Sequence, residues 1–223
     1  MAKSPPSTPA KGEAAASLRE QRRVQQQDLS RTQMLDAAEQ VFGERGYFDA
    51  TLKDIAERAE FSVGSVYSFF ENKDDLFLSV FLRRGDELVP VIREIAEGDG
   101  SPLAKLHALV DAEIGFFRKH RHFGRLYLRT SSATSPSPER AVDQAMHDRF
   151  REAMGLQAAI MREGQAAGEL RGGDPEVLAR MFSGFVSAYQ ATDPAVIGDD
   201  PNPVELLPLV ALHDMIEAAF ARP

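Results

Sequence analysis

Small hydroxyl side chains, set among aromatic residues and followed by a lysine, are the groups in this chain best spaced for chemistry at a phosphate backbone. In the stretch AEFSVGSVYSFFENKDDL, Ala59 to Leu76, the residues Ser62, Gly64, Ser65 and Ser68 are small. The three serines can donate hydrogen bonds to phosphate oxygens or base edges, and Val63 beside them suits a thymine methyl group. A tip made of such groups fits a major groove about 12 Å wide, which bulky apolar side chains would obstruct. Thr51 opens the preceding apolar segment, where a hydroxyl and free backbone N–H groups make a seat for a phosphate. Lys53 and Lys73 add positive charge on either side. Double-stranded DNA is the partner this chemistry expects.

Other chemistry finds little material. The chain has no cysteine, so disulfides, thiol catalysis and thiolate metal sites are excluded. No HExxH, GxGxxG, phosphate-cradling loop or Ser/His/Asp set occurs, and no activity as an enzyme is expected. His120 and His122 lack a third metal ligand, so neither a metal nor a cofactor is expected. No apolar run approaches the ~18 residues that a membrane span needs, which leads to the expectation of a cytoplasmic protein.

The hydroxyl groups need short helices to present them. Leu35, Ala38, Val41 and Phe42 recur at helical spacing, and Gly46 supplies a left-handed stop. Thr51 and Asp54 make a capping box for a second helix buried through Leu52, Ile55, Ala56 and Ala59. Ser62 caps a third, with Val66, Tyr67 and Phe70 expected to pack back on Phe42, Ile55 and Phe61. Asn72 caps a fourth, whose first turn carries Asp74 and Asp75 at the positive end of the helix dipole. That helix should run through Leu76, Phe77, Val80, Phe81 and Leu88 toward Glu97, bent at Pro90. The second and third, joined by about three residues, have the dimensions of a helix-turn-helix.

Beyond residue 100 the pattern predicts longer helices over 103–117, 123–130, 140–164, 174–191 and 204–221. The segments SSATSPSPE and DPAVIGDDPNP read as loops, and no β-alternation occurs. The fold class is therefore all-α.

Charge sharpens the expectation. The chain carries a net −8, and residues 30–85 hold seven basic against ten acidic side chains. A head with so few cations must rely on hydroxyls, helix dipoles and specific seating. Residues 1–29 are polar and rich in Pro, Ser, Ala and Gln, the composition of an arm that cannot bury a core. Glu13 to Leu29 nevertheless has good helix formers, and Arg19, Arg22 and Arg23 make it partly basic.

The run TLKDIAERAEFSVGSVYSFFENKDDL, Thr51 to Leu76, with AAEQVFGERGYFDAT upstream, resembles the DNA-binding signature of TetR-family transcriptional regulators. The resemblance covers about residues 31 to 81. It implies that Thr51, Ser62, Gly64, Ser65, Tyr67 and Lys73 occupy positions used at DNA. Two residues depart from the family pattern. Glu60 stands at a turn position usually held by Gly, often at positive φ, and Phe69 replaces a His or Tyr.

These features together imply an N-terminal helix-turn-helix DNA-binding domain over 30–81, preceded by the arm 1–29. Behind it a helical ligand-sensing and dimerisation domain is expected over 82–223. The expected function is that of a ligand-responsive regulator, a repressor that binds palindromic operator DNA as a homodimer and is released by a small apolar or amphipathic effector. The alternative is a DNA-binding regulator with no small-molecule effector. The bulky apolar set Phe116, Phe117, Phe123, Tyr127, Phe150, Met154 and Met161 is the expected pocket, with His120 to orient a polar end. The last two helices carry apolar residues on more than one face. Phe182, Phe185, Val186, Tyr189, Leu209, Val210, Leu212 and Ile216 are the expected dimer interface, and the resemblance implies a four-helix interface at the same place.

Overall fold

The computed structural model describes residues 18–131, 144–200 and 206–222. Among these residues there is no strand; an isolated bridge between Leu170 and Ala221 is the one β-type contact. The first helix, α1 (Leu18–Asp49), begins well before Ser30, so the basic end of the arm continues the helix. The strong helix formers Arg, Gln and Leu in LREQRRVQQQDL account for that extension. Residues 1–17 of the expected arm lie outside the described residues, as does the expected loop SSATSPSPE beyond its first serine. Gly46, at φ 79° and ψ 173°, breaks the helix where the sequence places its stop, and a final turn follows.

Helix α2 (Leu52–Arg58) starts with both bonds of the expected capping box. Thr51 Oγ1 accepts from the Asp54 amide at 3.1 Å, and Asp54 accepts from the Thr51 amide at 3.0 Å. Helix α3 (Val63–Phe69) is capped by Ser62, whose Oγ accepts from the Ser65 amide at 3.0 Å. Between them Glu60 takes φ 60°, a conformation that costs a non-glycine residue about 1 kcal/mol. Helix α4 (Lys73–Glu97) is capped by Asn72, which accepts from the Asp75 amide at 2.9 Å. Pro90 lies inside α4, where it withholds the N–H that the carbonyl oxygen of Asp86 would otherwise accept.

Among the described residues six further helices form the body: α5 (Pro102–Lys119), α6 (Arg121–Ser131), α7 (Gln144–Ala167), α8 (Pro175–Gln190), α9 (Pro194–Ile197) and α10 (Leu209–Phe220). The expected loop after residue 191 contains α9, started by Asp193, whose side chain accepts from the Ala195 amide. Helix α10 begins at Leu209 and not near Val204. Pro208 precedes it, and a proline holds the residue before it in extended backbone.

Two apolar cores hold these elements. One gathers Met34, Leu35, Phe42, Ile55, Val66, Phe70, Leu76, Phe77 and Phe81 from α1 to α4, and is closed by Phe117, Phe123, Leu126 and Val196 from α5, α6 and α9. The other joins Ile92, Leu106, Leu109, Ile114, Met161, Phe182, Val186, Leu212, Ile216 and Phe220. Each such buried side chain contributes about 1.5–3 kcal/mol of burial energy. Gly43 explains how tightly α1 meets α6: a Cβ placed there would lie 2.5 Å from the His122 carbonyl oxygen. The two backbones touch, and only glycine permits it.

A buried ionic cluster ties α1 to α4. Glu39 accepts from Arg84 Nε at 2.7 Å and from Arg83 at 2.9 Å, and Arg84 also donates to Glu87 at 2.8 Å. Removing one partner from such a cluster typically costs about 3–5 kcal/mol, because the other charge is left buried and unpaired.

Candidate DNA-reading head and effector cavity

On α3, Val66 and Phe70 are one turn apart and both buried, which fixes the face that looks inward. Ser62, Gly64 and Ser68 are exposed, while Val63 and Ser65 are half-buried. The hydroxyls order one another: Ser62 Oγ lies 2.8 Å from Ser65 Oγ, and Ser68 Oγ donates to the Ser65 carbonyl oxygen at 2.6 Å. A small, uncharged tip projects from an apolar anchor.

Tyr67 does not join that anchor. It is 56% exposed, because it sits about 100° around the helix from Val66, whereas Phe69 is half-buried against the core. Its ring is on the same outer surface as the serines. Thr51 and Lys53 are also exposed, with Lys53 Nζ 3.7 Å from Glu57.

Lys73 lies differently from its expected position at a flanking phosphate. Its ammonium donates to the carbonyl oxygens of Tyr47 at 2.8 Å and Ala50 at 3.1 Å, 4.3 Å over the Tyr47 ring. Other cations of the head are paired as well: Arg45 with Asp54 at 2.8 Å, and Arg58 with Glu44 at 2.9 Å. The pairing with Arg58 holds the Glu44 carboxyl below its usual range. The head therefore presents hydroxyls and backbone dipoles more than spare positive charge.

The body holds a cavity of about 120 Å³ bounded by α4, α5, α6, α7 and α8. Of the residues expected there, Phe117, Phe123, Tyr127, Phe150 and Met154 line it. Phe116, His120 and Met161 do not. Phe116 turns toward the His120 ring, 4.6 Å away, and Met161 is fully buried in the second core. His120 Nε2 sits 3.5 Å from Glu87, and burial followed by the nearby Arg84 charge lowers its pKa.

Sequence reasoning missed the α4 wall, Phe81, Leu88, Val89 and Ile92, of which it placed only Phe81 and Leu88, as residues along the fourth helix. It also missed the polar lining: Glu113, Gln157, Gln190, Ser183 and Ser187. The signal was present for Glu113, which stands one turn after Leu109 and one turn before Phe117 on a buried stripe. Gln157 Nε2 donates to Glu113 Oε1 at 3.0 Å. Burial pushes the Glu113 carboxyl up to about 7, with the Gln157 bond opposing. The Oε1 atoms of Gln157 and Gln190 are buried without a hydrogen-bond partner.

The expected dimer residues divide in two. Phe182, Val186, Tyr189, Leu212 and Ile216 are buried in the chain's own second core, and the Tyr189 hydroxyl donates to the Leu207 carbonyl oxygen. Phe185 and Leu209 are half-buried, and Val210 is 63% exposed. The outward stripe on α8 is instead Val177, Met181, Gly184 and Ala188, and on α10 it is Ala211, Met215 and Ala218 beside Val210. Helices with apolar residues on two faces give one face to the chain's own core, and the larger side chains took it.

Comparison with known proteins accords with this geometry. Residues 34–80 match the family model for bacterial regulatory proteins of the tetR family, and residues 99–190 match that for the tetracyclin repressor-like C-terminal domain. The HTH-type transcriptional activator FasR of Mycolicibacterium smegmatis is 34% identical over 109 residues, 49% of this chain and 50% of that protein. The alignment thus spans half the length of that relative. The Fatty acid metabolism regulator protein of Bacillus subtilis is 24% identical over 153 residues, 67% of this chain and 75% of that one. Among solved structures, a TetR/AcrR-family regulator from Thermobifida fusca is 28% identical, with TM-score 0.58 over 84% of this chain and 94% of that one. The regulator FadR from Bacillus subtilis, solved in complex with stearoyl-CoA, shares the fold at TM-score 0.65 and 23% identity, over 83% of this chain and 94% of that one. With its helix-turn-helix at the N-terminus and its helical body behind, this chain belongs to the TetR family of transcriptional regulators.

Proposed function

We propose that the chain is an effector-released repressor acting in the cytoplasm. Two copies, associated through the outer faces of α8 and α10, would bind a palindromic operator with Thr51, Lys53 and the α3 tip of each head. A small amphipathic molecule in the cavity would lower that affinity. The division we propose is arm 1–29, head 30–81, and sensing and dimerisation body 82–223.

The observation that carries this reading is the double membership of α4. Its first half, through Leu76, Phe77 and Phe81, is packed in the core of the head. Its second half, from Phe81 through Leu88, Val89 and Ile92, is a wall of the cavity. A ligand that favours one setting of α4 must bias the head, by as much as its affinity differs between the two settings.

The fatty-acid connection in the name of one relative, and the stearoyl-CoA in one solved structure, make fatty acyl compounds the first effectors to test. The test is operator affinity by fluorescence anisotropy, using fragments selected from genomic DNA, with and without saturating acyl compound. The expected result is a loss of at least about fivefold. An operator affinity identical in the ligand-saturated and ligand-free protein would overturn the coupling. Deleting the gene should raise transcription from the bound promoter; a fall would make the regulator an activator.

A further inference from the structure

The cavity is apolar along most of its wall but not throughout. Glu113, Gln157 and Gln190 line the same space from α5, α7 and α8, and each is at least nine-tenths buried. Buried polar atoms in folded chains almost always have partners, and an orphan acceptor carries a desolvation penalty until something donates to it. Here two carboxamide oxygens, Gln157 Oε1 and Gln190 Oε1, have none. Gln157 already commits its Nε2 to Glu113. Both unsatisfied atoms are acceptors, so the complementary group is a donor.

The charges along the same wall narrow the donor further. Arg84 and Arg149 also line the cavity, but Arg84 is neutralised by Glu39 and Glu87, and Arg149 by Asp86 at 2.8 Å. Those cations are already paired and not free to receive a carboxylate, and an ammonium would bring a further charge into a buried space. A carboxylate would, in addition, face two acceptor oxygens and the Glu113 carboxyl. A neutral hydroxyl satisfies the acceptors and brings no charge into a buried space.

We propose that the cavity selects effectors bearing a hydroxyl group on an apolar chain, the hydroxyl donating to Gln157 Oε1 or Gln190 Oε1. This rests on the reading of the cavity as the effector site and names the chemistry that site recognises. A plain alkyl or acyl chain reaching the same depth would leave both oxygens buried and unpaired.

The experiment compares three probes of equal chain size, octanol, heptyl methyl ether and octanoate, by calorimetric titration of the full chain. Octanol and the ether match in shape, and only the alcohol donates. Octanol is expected to bind at least about tenfold tighter than the ether or octanoate. That preference should be lost in Gln157→Met or Gln190→Leu. Each variant is accepted only if it melts cooperatively and still binds the ether, so that misfolding is not mistaken for lost recognition. Equal binding of octanol and the ether by the parent overturns the hydroxyl selectivity while leaving the effector cavity in place. A preference for octanol that survives in the double variant Gln157→Met/Gln190→Leu, which lacks both oxygens, also overturns it, since the hydroxyl is then received elsewhere. Binding of none of the three, together with no probe or acyl compound releasing operator DNA, removes the effector reading and this inference with it.

Discussion

Lys73, the first residue of α4, holds the end of α1: its Nζ lies 2.8 Å from the carbonyl oxygen of Tyr47 and 4.3 Å over the ring of the same residue. Tyr47 in turn donates its hydroxyl to Asp74, so two adjacent residues of α4 grip one tyrosine. Burial, and then the Asp74 carboxylate, push the Tyr47 hydroxyl up to about 12. The end of α1 leaves carbonyl groups without helical partners, and Lys73 satisfies those of Tyr47 and of Ala50 just beyond it. Lys73→Met should therefore lower the stability of the chain by about 1–3 kcal/mol. A thermal melt reads this without DNA. An unchanged melting temperature would show that the ammonium is not needed there.

Glu113 makes stability depend on pH in a direction opposite to that of most carboxylates. Its folded value near 7 stands above the ordinary 4.5, so between those values the folded chain keeps a proton that the unfolded chain has released. The stability contributed by the protonated form is present below about 4.5 and is lost as pH rises through 7. Glu113→Gln should flatten this dependence and stabilise the chain at about pH 8, by up to roughly 3 kcal/mol. Denaturant titrations at both ends of the window test it, and parallel pH profiles for parent and variant would count against it.

Arg19, Arg22 and Arg23 share one face of the first turns of α1, where Arg23 pairs with Glu20 at 2.6 Å. With the head's own cations largely engaged, these arginines are the expected source of additional phosphate contacts. Replacing all three by alanine should weaken operator binding and flatten its salt dependence, by about 0.9 in log–log slope for each phosphate released. Binding with the parental slope would remove the arm from the interface.

Two faces of α8 and α10 make separable predictions for assembly. Val210 is exposed and Ile216 is fully buried. Val210→Asp should yield a folded monomer by light scattering, with little change in melting temperature at matched low concentration. Ile216→Asp should unfold the chain, since it buries a charge in the second core. A Val210→Asp protein with the parental mass in solution would place the interface elsewhere.

Much of the head is legible in its amino acids. Caps are local chemistry, a hydroxyl or carboxamide three residues before an amide, and Thr51, Ser62 and Asn72 occupy the capping positions their spacing implies. Tyr67 shows the limit. Seven residues of helix do not define which of two neighbouring aromatics turns inward, and the choice is made by the core that Val66 and Phe70 already occupy. Lys73 was legible as a cation but not as one consumed by carbonyl groups more than twenty residues upstream. In the body, composition marked the apolar helices, while partition between core, cavity and outer face depended on how they pack. Gln190 and Ser187 reach the cavity from α8, a helix whose sequence reads simply as apolar. Polar lining of that kind is visible only when several helices are seen together.

Gly43 bears on how such a protein can be recombined. Residue 81 is the place the sequence suggests for exchanging heads between regulators, since the expected DNA-binding domain ends there, although α4 runs on to Glu97. A head cut at that point would leave Phe117, Phe123, Leu126 and Val196 behind and so lose the floor of its own core. It would also set Gly43 against a foreign backbone with no side chain to take up a misfit. The transplantable unit is the head together with the segments that close its core, and chimeras that carry α5, α6 and α9 along with α1 to α4 are the ones expected to fold.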